Sequence, residues 1–200
     1  MRRSYRIGSR LSLLGVIMFS LSGSAMLAQK SAPAPPPAKP GLTLMTTAFD
    51  DGGIIPNRYT QASSDTPISP ELKWKNVPDG TVSFALIVND SDAAPEKSTA
   101  MVLHWLIFNI PRTVTGLPEG IPNDPLSPDG SVQGLNRAHK VGYMGMGAGA
   151  AGPYHHYSFE LFALDTKLAL GPTATRADVL AAMDGHILGK GVLVGRFHRP

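Results

Sequence analysis

Twenty-one glycines and 18 prolines punctuate this sequence. Between them lie short apolar or alternating runs, not long helical stretches. "VSFALIVND" and "MVLHWLIFNIP" read as buried strands, the second ended by Pro111. "LTLMTTAF" alternates before the turn "DDGGIIP", and "GVLVGRFHR" closes the chain as a last strand. In "HHYSFELFALD" the alternation places Tyr157, Phe159, Leu161 and Ala163 on one face and Ser158, Glu160 and Phe162 on the other. β-branched and aromatic residues bounded by turn formers at this spacing predict an all-β protein, an antiparallel sandwich or barrel with long loops. One short C-terminal helix is expected. Thr175 is its N-cap, Asp178 stands three residues on, Val179, Leu180 and Met183 follow at helical spacing, and Gly185 ends it.

The first residues belong to a different class. Arg2, Arg3, Arg6 and Arg10 precede an apolar run from Leu11 to Leu21 that exits through small residues. That order describes a secretory signal peptide over residues 1–28, cleaved after Ala25 or Ala28 or retained as an anchor. The expected location is therefore the periplasm or the exterior. "SAPAPPPAKP" follows, and residues 29–40 read as an extended proline-rich linker before a domain over 41–200. Without residues 1–28 the 18 Lys and Arg fall to 14, against 15 Asp and Glu. The basic character thus resides in the targeting segment, and no electrostatic footprint for nucleic acid remains. The absence of cysteine excludes disulfides and thiolate metal sites.

Residues 111 to 140 hold five prolines and four glycines. Such a stretch is expected to be a structureless loop, functional or mobile.

Chemistry-bearing residues cluster at strand ends. Asp90 and Asp92 stand where the first buried strand stops. His104 interrupts an apolar strand beside Trp105, and "GAGAAGPYHHY" leads from small residues into His155, His156 and Tyr157. Alternation puts His155 and Tyr157 on one face and His156 on the other. His139, His186 and His198 have no supporting neighbours in the sequence and are expected at the surface. Three readings compete. Asp90, His104 and His155 supply three metal ligands, but without a close H-x-H or H-x-x-x-H spacing. An acid–base enzyme needs a nucleophile, and no G-x-S-x-G, S-x-x-K or cysteine offers one. Backbone N–H groups of a glycine-rich loop, with imidazoles and a phenol as further donors, suit a phosphate-like anion. In that reading Asp90 orients an imidazole or pairs with a cationic head group.

Taken in order, "FDDGGIIPNRYT", "ISPELKWKNVP", "DSDAAP", "HWLIFNIP" and "GPYHHYSFELFALD" resemble the phosphatidylethanolamine-binding protein family, in particular its bacterial Raf kinase inhibitor-like branch. The resemblance covers roughly residues 42 to 198. It implies two antiparallel sheets and a small cavity at one edge that binds phosphate-like anions or phospholipid head groups. The implied ligand-binding residues are Asp90, Asp92, His104, Gly145, Gly147, His155 and Tyr157, with no catalytic residue, metal or cofactor. The chain departs from the family pattern at Ser91 and Ala94, where prolines are usual, and in a loop rim of Met146, Ala148 and Gly149. A rim without proline is expected to be more mobile.

The leading expectation is a non-enzymatic binding protein for a small anion or phospholipid head group. The alternative is an inhibitor or interaction module for an envelope or secreted hydrolase, acting through residues 111–140. A weak metal-dependent or acid–base activity on Asp90, His104 and His155 is the third. A homodimer would follow from an exposed apolar sheet edge.

Overall fold

The computed structural model describes residues 40–200. The expected signal peptide over residues 1–28 and residues 29–39 of the expected linker lie outside the described residues. Nine strands and one helix follow in chain order: β1 (Thr43–Met45), β2 (Gly53–Ile54), β3 (Leu72–Lys75), β4 (Ser83–Asp90), β5 (Val102–Pro111), β6 (Gly116–Leu117), β7 (Val132–Gln133), β8 (His155–Leu164), α1 (Arg176–Met183) and β9 (Ile187–Phe197).

The strands form a three-stranded sheet, β1-β3-β6, and a six-stranded sheet, β2-β9-β8-β4-β5-β7. The pairings are antiparallel except that β2 runs parallel to β9. The expected wholly antiparallel arrangement is thus corrected at one edge, where two residues from an early turn join the last strand. The fold is mostly β, with one antiparallel sheet, one mixed sheet and one α-helix among the described residues.

The central strand β4 is buried at all eight positions, which is why its sequence is apolar without a break from Phe84 to Val88. Its neighbour β8 divides as the alternation predicts. Tyr157, Phe159, Leu161 and Ala163 join a core with Leu44, Leu72, Trp74 and Leu117 of the small sheet. Phe162 falls in a second core with Val179 and Met183 of α1. The six-stranded sheet therefore carries apolar side chains on both faces. Each fully buried large side chain contributes about 1.5–3 kcal/mol of transfer free energy, before the entropy of ordering it.

α1 begins as expected. Thr175 Oγ1 accepts the Asp178 N–H at 3.3 Å, while the Asp178 carboxylate accepts the Thr175 N–H at 2.9 Å. This reciprocal pair satisfies two backbone donors that the first turn leaves open. Gly185, at φ +80°, carries the chain away after the helix.

The segment 111–140 departs from the sequence expectation, because it is not structureless. It contributes β6 to the small sheet and β7 to the large one. The fully buried Gln133 then fastens the intervening chain. Its Nε2 donates to the carbonyls of Pro122 and Asp124 at 2.7 and 2.8 Å, and its Oε1 accepts the Trp105 indole N–H at 2.8 Å.

Candidate anion site

Three strand ends converge at one edge of the large sheet. β4 ends on Asp90, paired directly opposite Tyr157 of β8. The pairing of β4 with β5 slips between Val88 and Asn89: Val88 lies opposite Trp105, and Asn89 opposite Leu103. His104 is the extra residue of this bulge. A bulge re-aims side chains, and this one lets His104 and Trp105 both lie on the Tyr157 side. The His104 ring meets the Tyr157 ring edge-on at 5.1 Å, and the Trp105 side chain belongs to the same core as Tyr157.

Asp90, His104 and His155 line one cavity of 240 Å³, together with Gln61, Met144 and the backbone-rich Gly147, Ala148 and Gly149. Each imidazole has one nitrogen already committed. His104 Nδ1 lies 2.9 Å from the Met144 carbonyl oxygen. A carbonyl only accepts, so Nδ1 carries the proton. His155 Nδ1 lies 2.8 Å from Asp90 Oδ2 and donates to that carboxylate. Both rings are left with Nε2 as the one nitrogen for a ligand. Asp90 is held on its other oxygen as well. Its Oδ1 accepts the N–H groups of Asp92 and Ala93, both at 3.0 Å. The carboxylate therefore orients His155.

Burial decides the protonation of the deepest ring. His104 is 2% exposed, and desolvation holds its pKa below the ordinary histidine value, against the opposing Met144 hydrogen bond and the Asp90 charge. Tyr157 is fully buried and its hydroxyl accepts the Ala148 N–H at 3.2 Å. Desolvation first, then the nearby Asp90 charge, push its pKa well up, so the phenol keeps its proton. Tyr157 braces the cavity from below the lining and does not itself line it.

The small-residue loop is tied down at several points. Gln61 Nε2 donates to the Gly145 carbonyl at 3.0 Å, the Gln61 N–H to the Met146 carbonyl at 2.9 Å, and the Arg199 N–H to the Ala148 carbonyl at 3.2 Å. A Cβ on Gly147 would stand 2.6 Å from Gln61 Nε2, so a larger residue there would push the Gln61 amide aside. Arg199 Nη2 donates to Gln61 Oε1 at 2.9 Å, which places a guanidinium behind the Gln61 wall.

Of the residues singled out in the sequence, Asp90, His104, Gly147 and His155 line the cavity. Asp92 and Gly145 do not. Asp92 Oδ2 accepts both the backbone N–H of His156 and its Nδ1, the latter at 2.9 Å, outside the cavity. Gly145 lines a neighbouring depression with Pro67 and Lys140. His139 is exposed. His186 is also exposed but has a partner, Asp165 Oδ1 at 2.7 Å, and His198 is half-buried against the Tyr154 ring at 3.9 Å. Sequence reasoning missed Gln61, Val102 and Met144, whose only signal is the long-range path of the chain. Among the described residues no group of His, Asp and Glu has metal-holding geometry, and no helix is long and apolar enough to cross a membrane.

A larger groove of 810 Å³ lies between β3 and residues 113–119. None of its lining residues is a histidine. Volume favours that groove, but convergent ionisable groups favour the smaller cavity, and for polar ligands convergence is the better guide.

Comparison with known proteins bears on the family and the fold. The family model described as phosphatidylethanolamine-binding protein matches residues 45–198. A UPF0098 protein of Methanothermobacter thermautotrophicus is 46% identical over 158 residues, which is 79% of this chain and 99% of that protein. Another from Aquifex aeolicus is 37% identical over 159 residues, covering 79% of this chain and 89% of that one. Among solved structures, the phosphatidylethanolamine-binding protein homologue CT736 from Chlamydia trachomatis superposes with a TM-score of 0.68 at 32% identity, covering 80% of this chain and 99% of it. E. coli YbcL gives 0.72 at 28% identity, covering 80% and 100%. The sequence, the two sheets and the edge cavity lead to one assignment: this chain belongs to the phosphatidylethanolamine-binding protein family.

Proposed function

We propose that the chain is an exported, non-enzymatic binding protein of sandwich architecture whose edge cavity takes a phosphate-type oxyanion, either free or carried on a phospholipid head group. The supporting observation is the pair of imidazoles with Nδ1 committed and Nε2 left for a ligand at one 240 Å³ cavity. Two fixed Nε2 positions, each a donor once it is protonated, and a glycine-rich backbone match the tetrahedral oxygens of such a group.

Charge sets a condition on binding. With Asp90 ionised and both rings neutral, the site carries one negative charge and repels an anion. Each proton taken up on an Nε2 both adds a positive charge and turns an acceptor into a donor. The lowered pKa of His104 means that this ring is neutral in the empty cavity at neutral pH. An anion beside it favours the charged ring and raises its pKa. Binding therefore takes up a proton, from solvent or from a monoanionic phosphate.

The sign follows from linkage: a proton bound with the ligand makes affinity fall as pH rises, by up to about tenfold per pH unit for one proton. Calorimetric titration with inorganic phosphate and O-phosphoethanolamine at about pH 6 and about pH 8 straddles the ordinary histidine pKa of about 6.5. The expected result is one-to-one binding that is tighter at the lower pH, with net proton uptake across two buffers at about pH 8, where the phosphate is dianionic and the proton comes from solvent. Affinity that rises with pH, or no heat at either pH, contradicts the proposal. A preference for O-phosphoethanolamine over phosphate identifies the head group as the ligand, and equal affinity identifies the phosphoryl group alone.

A further inference from the structure

The edge cavity has a neighbour. A depression of 420 Å³ shares Gln61 and Met144 with it, so the exposed Gln61 and the half-buried Met144 form the ridge between the two. The ridge is fixed in place. Gln61 Nε2 donates to the Gly145 carbonyl at 3.0 Å, and its Oε1 accepts from Arg199 Nη2 at 2.9 Å. The Met144 N–H donates to the His104 carbonyl at 2.8 Å. On the side of the depression Gly145 lies so close to Pro67 that a Cβ there would stand 2.7 Å from the proline Cβ.

The two hollows differ in charge. Asp90 makes the edge cavity negative while its imidazoles are neutral. No carboxylate lines the depression, and its one charged residue is Lys140. The amides of the depression are already committed. Asn123 Oδ1 accepts the Tyr143 N–H at 2.8 Å and its Nδ2 donates to the Tyr143 carbonyl at 3.3 Å. Asn136 Nδ2 donates to the Gly142 carbonyl at 3.0 Å, and its Oδ1 accepts the Ala138 and Lys140 N–H groups at 2.9 and 3.3 Å. The Lys140 carbonyl accepts the Asn136 N–H at 2.9 Å, so the lysine backbone is held on both sides. Its side chain is different: the ammonium is exposed and has no acceptor among the described residues. Pro67 and Val141 add apolar surface beside it.

We propose that the two hollows hold one ligand, a phosphate monoester whose aliphatic part crosses Gln61 and Met144 and ends in a carboxylate paired with Lys140. This rests on the oxyanion reading of the edge cavity and adds the organic part of the ligand to it. An ammonium without a partner, in a hollow without carboxylates, recognises an acid as a point charge. The negative Asp90 makes the edge cavity itself unsuited to a second acid, so the two acidic groups separate across the ridge. An exposed ion pair of this kind is worth up to about fivefold in affinity.

Three phosphonates titrated into the full chain at about pH 6, where a carboxylate is ionised, test this by calorimetry and backbone amide NMR. Methylphosphonate probes the edge cavity alone, hexylphosphonate adds the chain, and 6-phosphonohexanoate adds the terminal carboxylate. The expected result is that 6-phosphonohexanoate binds about two- to fivefold tighter than hexylphosphonate. Only the two longer probes should shift the amides of residues 66–67 and 138–145. Lys140→Gln should equalise those two probes and leave methylphosphonate unchanged, while Lys140→Arg keeps the preference. Salt at about 1 M, where the screening length falls to about 3 Å, should also reduce it. Lys140 is exposed, so these variants retain the fold. If methylphosphonate does not bind, the oxyanion reading falls and this inference with it. If methylphosphonate binds but the two longer probes are equal, or their difference survives in Lys140→Gln, this inference alone is overturned.

Discussion

His155→Ala is expected to reduce oxyanion affinity by at least about 100-fold, and His104→Ala by about 10- to 100-fold. A hydrogen bond to a charged group contributes about 1.5–3 kcal/mol, which corresponds to one to two powers of ten. The His155 variant loses more because it removes two things together. The Nε2 donor disappears, and the Asp90 carboxylate, whose side chain is 5% exposed, loses the imidazole that faces it. An unscreened carboxylate then confronts the incoming anion at low dielectric. The His104 variant loses a donor and widens the cavity, but leaves the Asp90–His155 pair in place. Calorimetry with phosphate at about pH 6, with circular dichroism confirming the fold, reads both effects. Wild-type affinity in either variant shows that its imidazole does not hold the anion.

The second large effect concerns stability. Gln133→Leu should destabilise the protein by about 3 kcal/mol, because the glutamine satisfies a buried donor and pins a loop at once. Leucine fills similar space but leaves the fully buried Trp105 N–H without its acceptor. An orphaned buried donor costs about 1–3 kcal/mol, and each ordinary hydrogen bond lost adds about 1 kcal/mol. The carbonyls of Pro122 and Asp124 belong to exposed residues and turn to water, so they add the smaller amount. For a domain of this size the melting temperature should fall by roughly 6–12 °C. Urea unfolding measures the same difference, and a change within about 0.5 kcal/mol contradicts the account.

The sequence was most legible where periodicity ran long. β4, β5 and β8 span eight to ten residues and announce themselves by burial or alternation, and the Thr175–Asp178 box marks α1. β6 and β7 were missed for a physical reason: two residues carry no periodicity, and only partner strands far along the chain define them. The same holds for the parallel pairing of β2. Within the site, Asp90, His104 and His155 were legible as polar groups in or at the ends of apolar strands.

Asp92 illustrates the limit of that logic. In an extended strand, residues two apart share a face, which would send Asp92 into the cavity beside Asp90. The strand instead stops at Asp90, whose own carboxylate captures the Asp92 and Ala93 N–H groups and turns the chain outward to His156. His104 shows the converse. Strict alternation beside Trp105 would place it on the opposite face, and the bulge brings it back. Gln61 belongs to neither case, since no local pattern connects it with the Gly147 loop that it supports.

A titration of the imidazole nitrogens of the full chain by NMR separates binding in the edge cavity from binding at the surface. Inorganic phosphate is added at about pH 6 and about pH 8, either side of the ordinary histidine pKa of about 6.5. Saturable shifts are expected at two rings, His104 and His155, with His104 Nε2 gaining a proton on binding and its Nδ1 unchanged, while His139, His156 and His186 stay still. Shifts at the exposed rings alone, or none that saturates at His104 and His155, would show that this cavity does not bind the oxyanion.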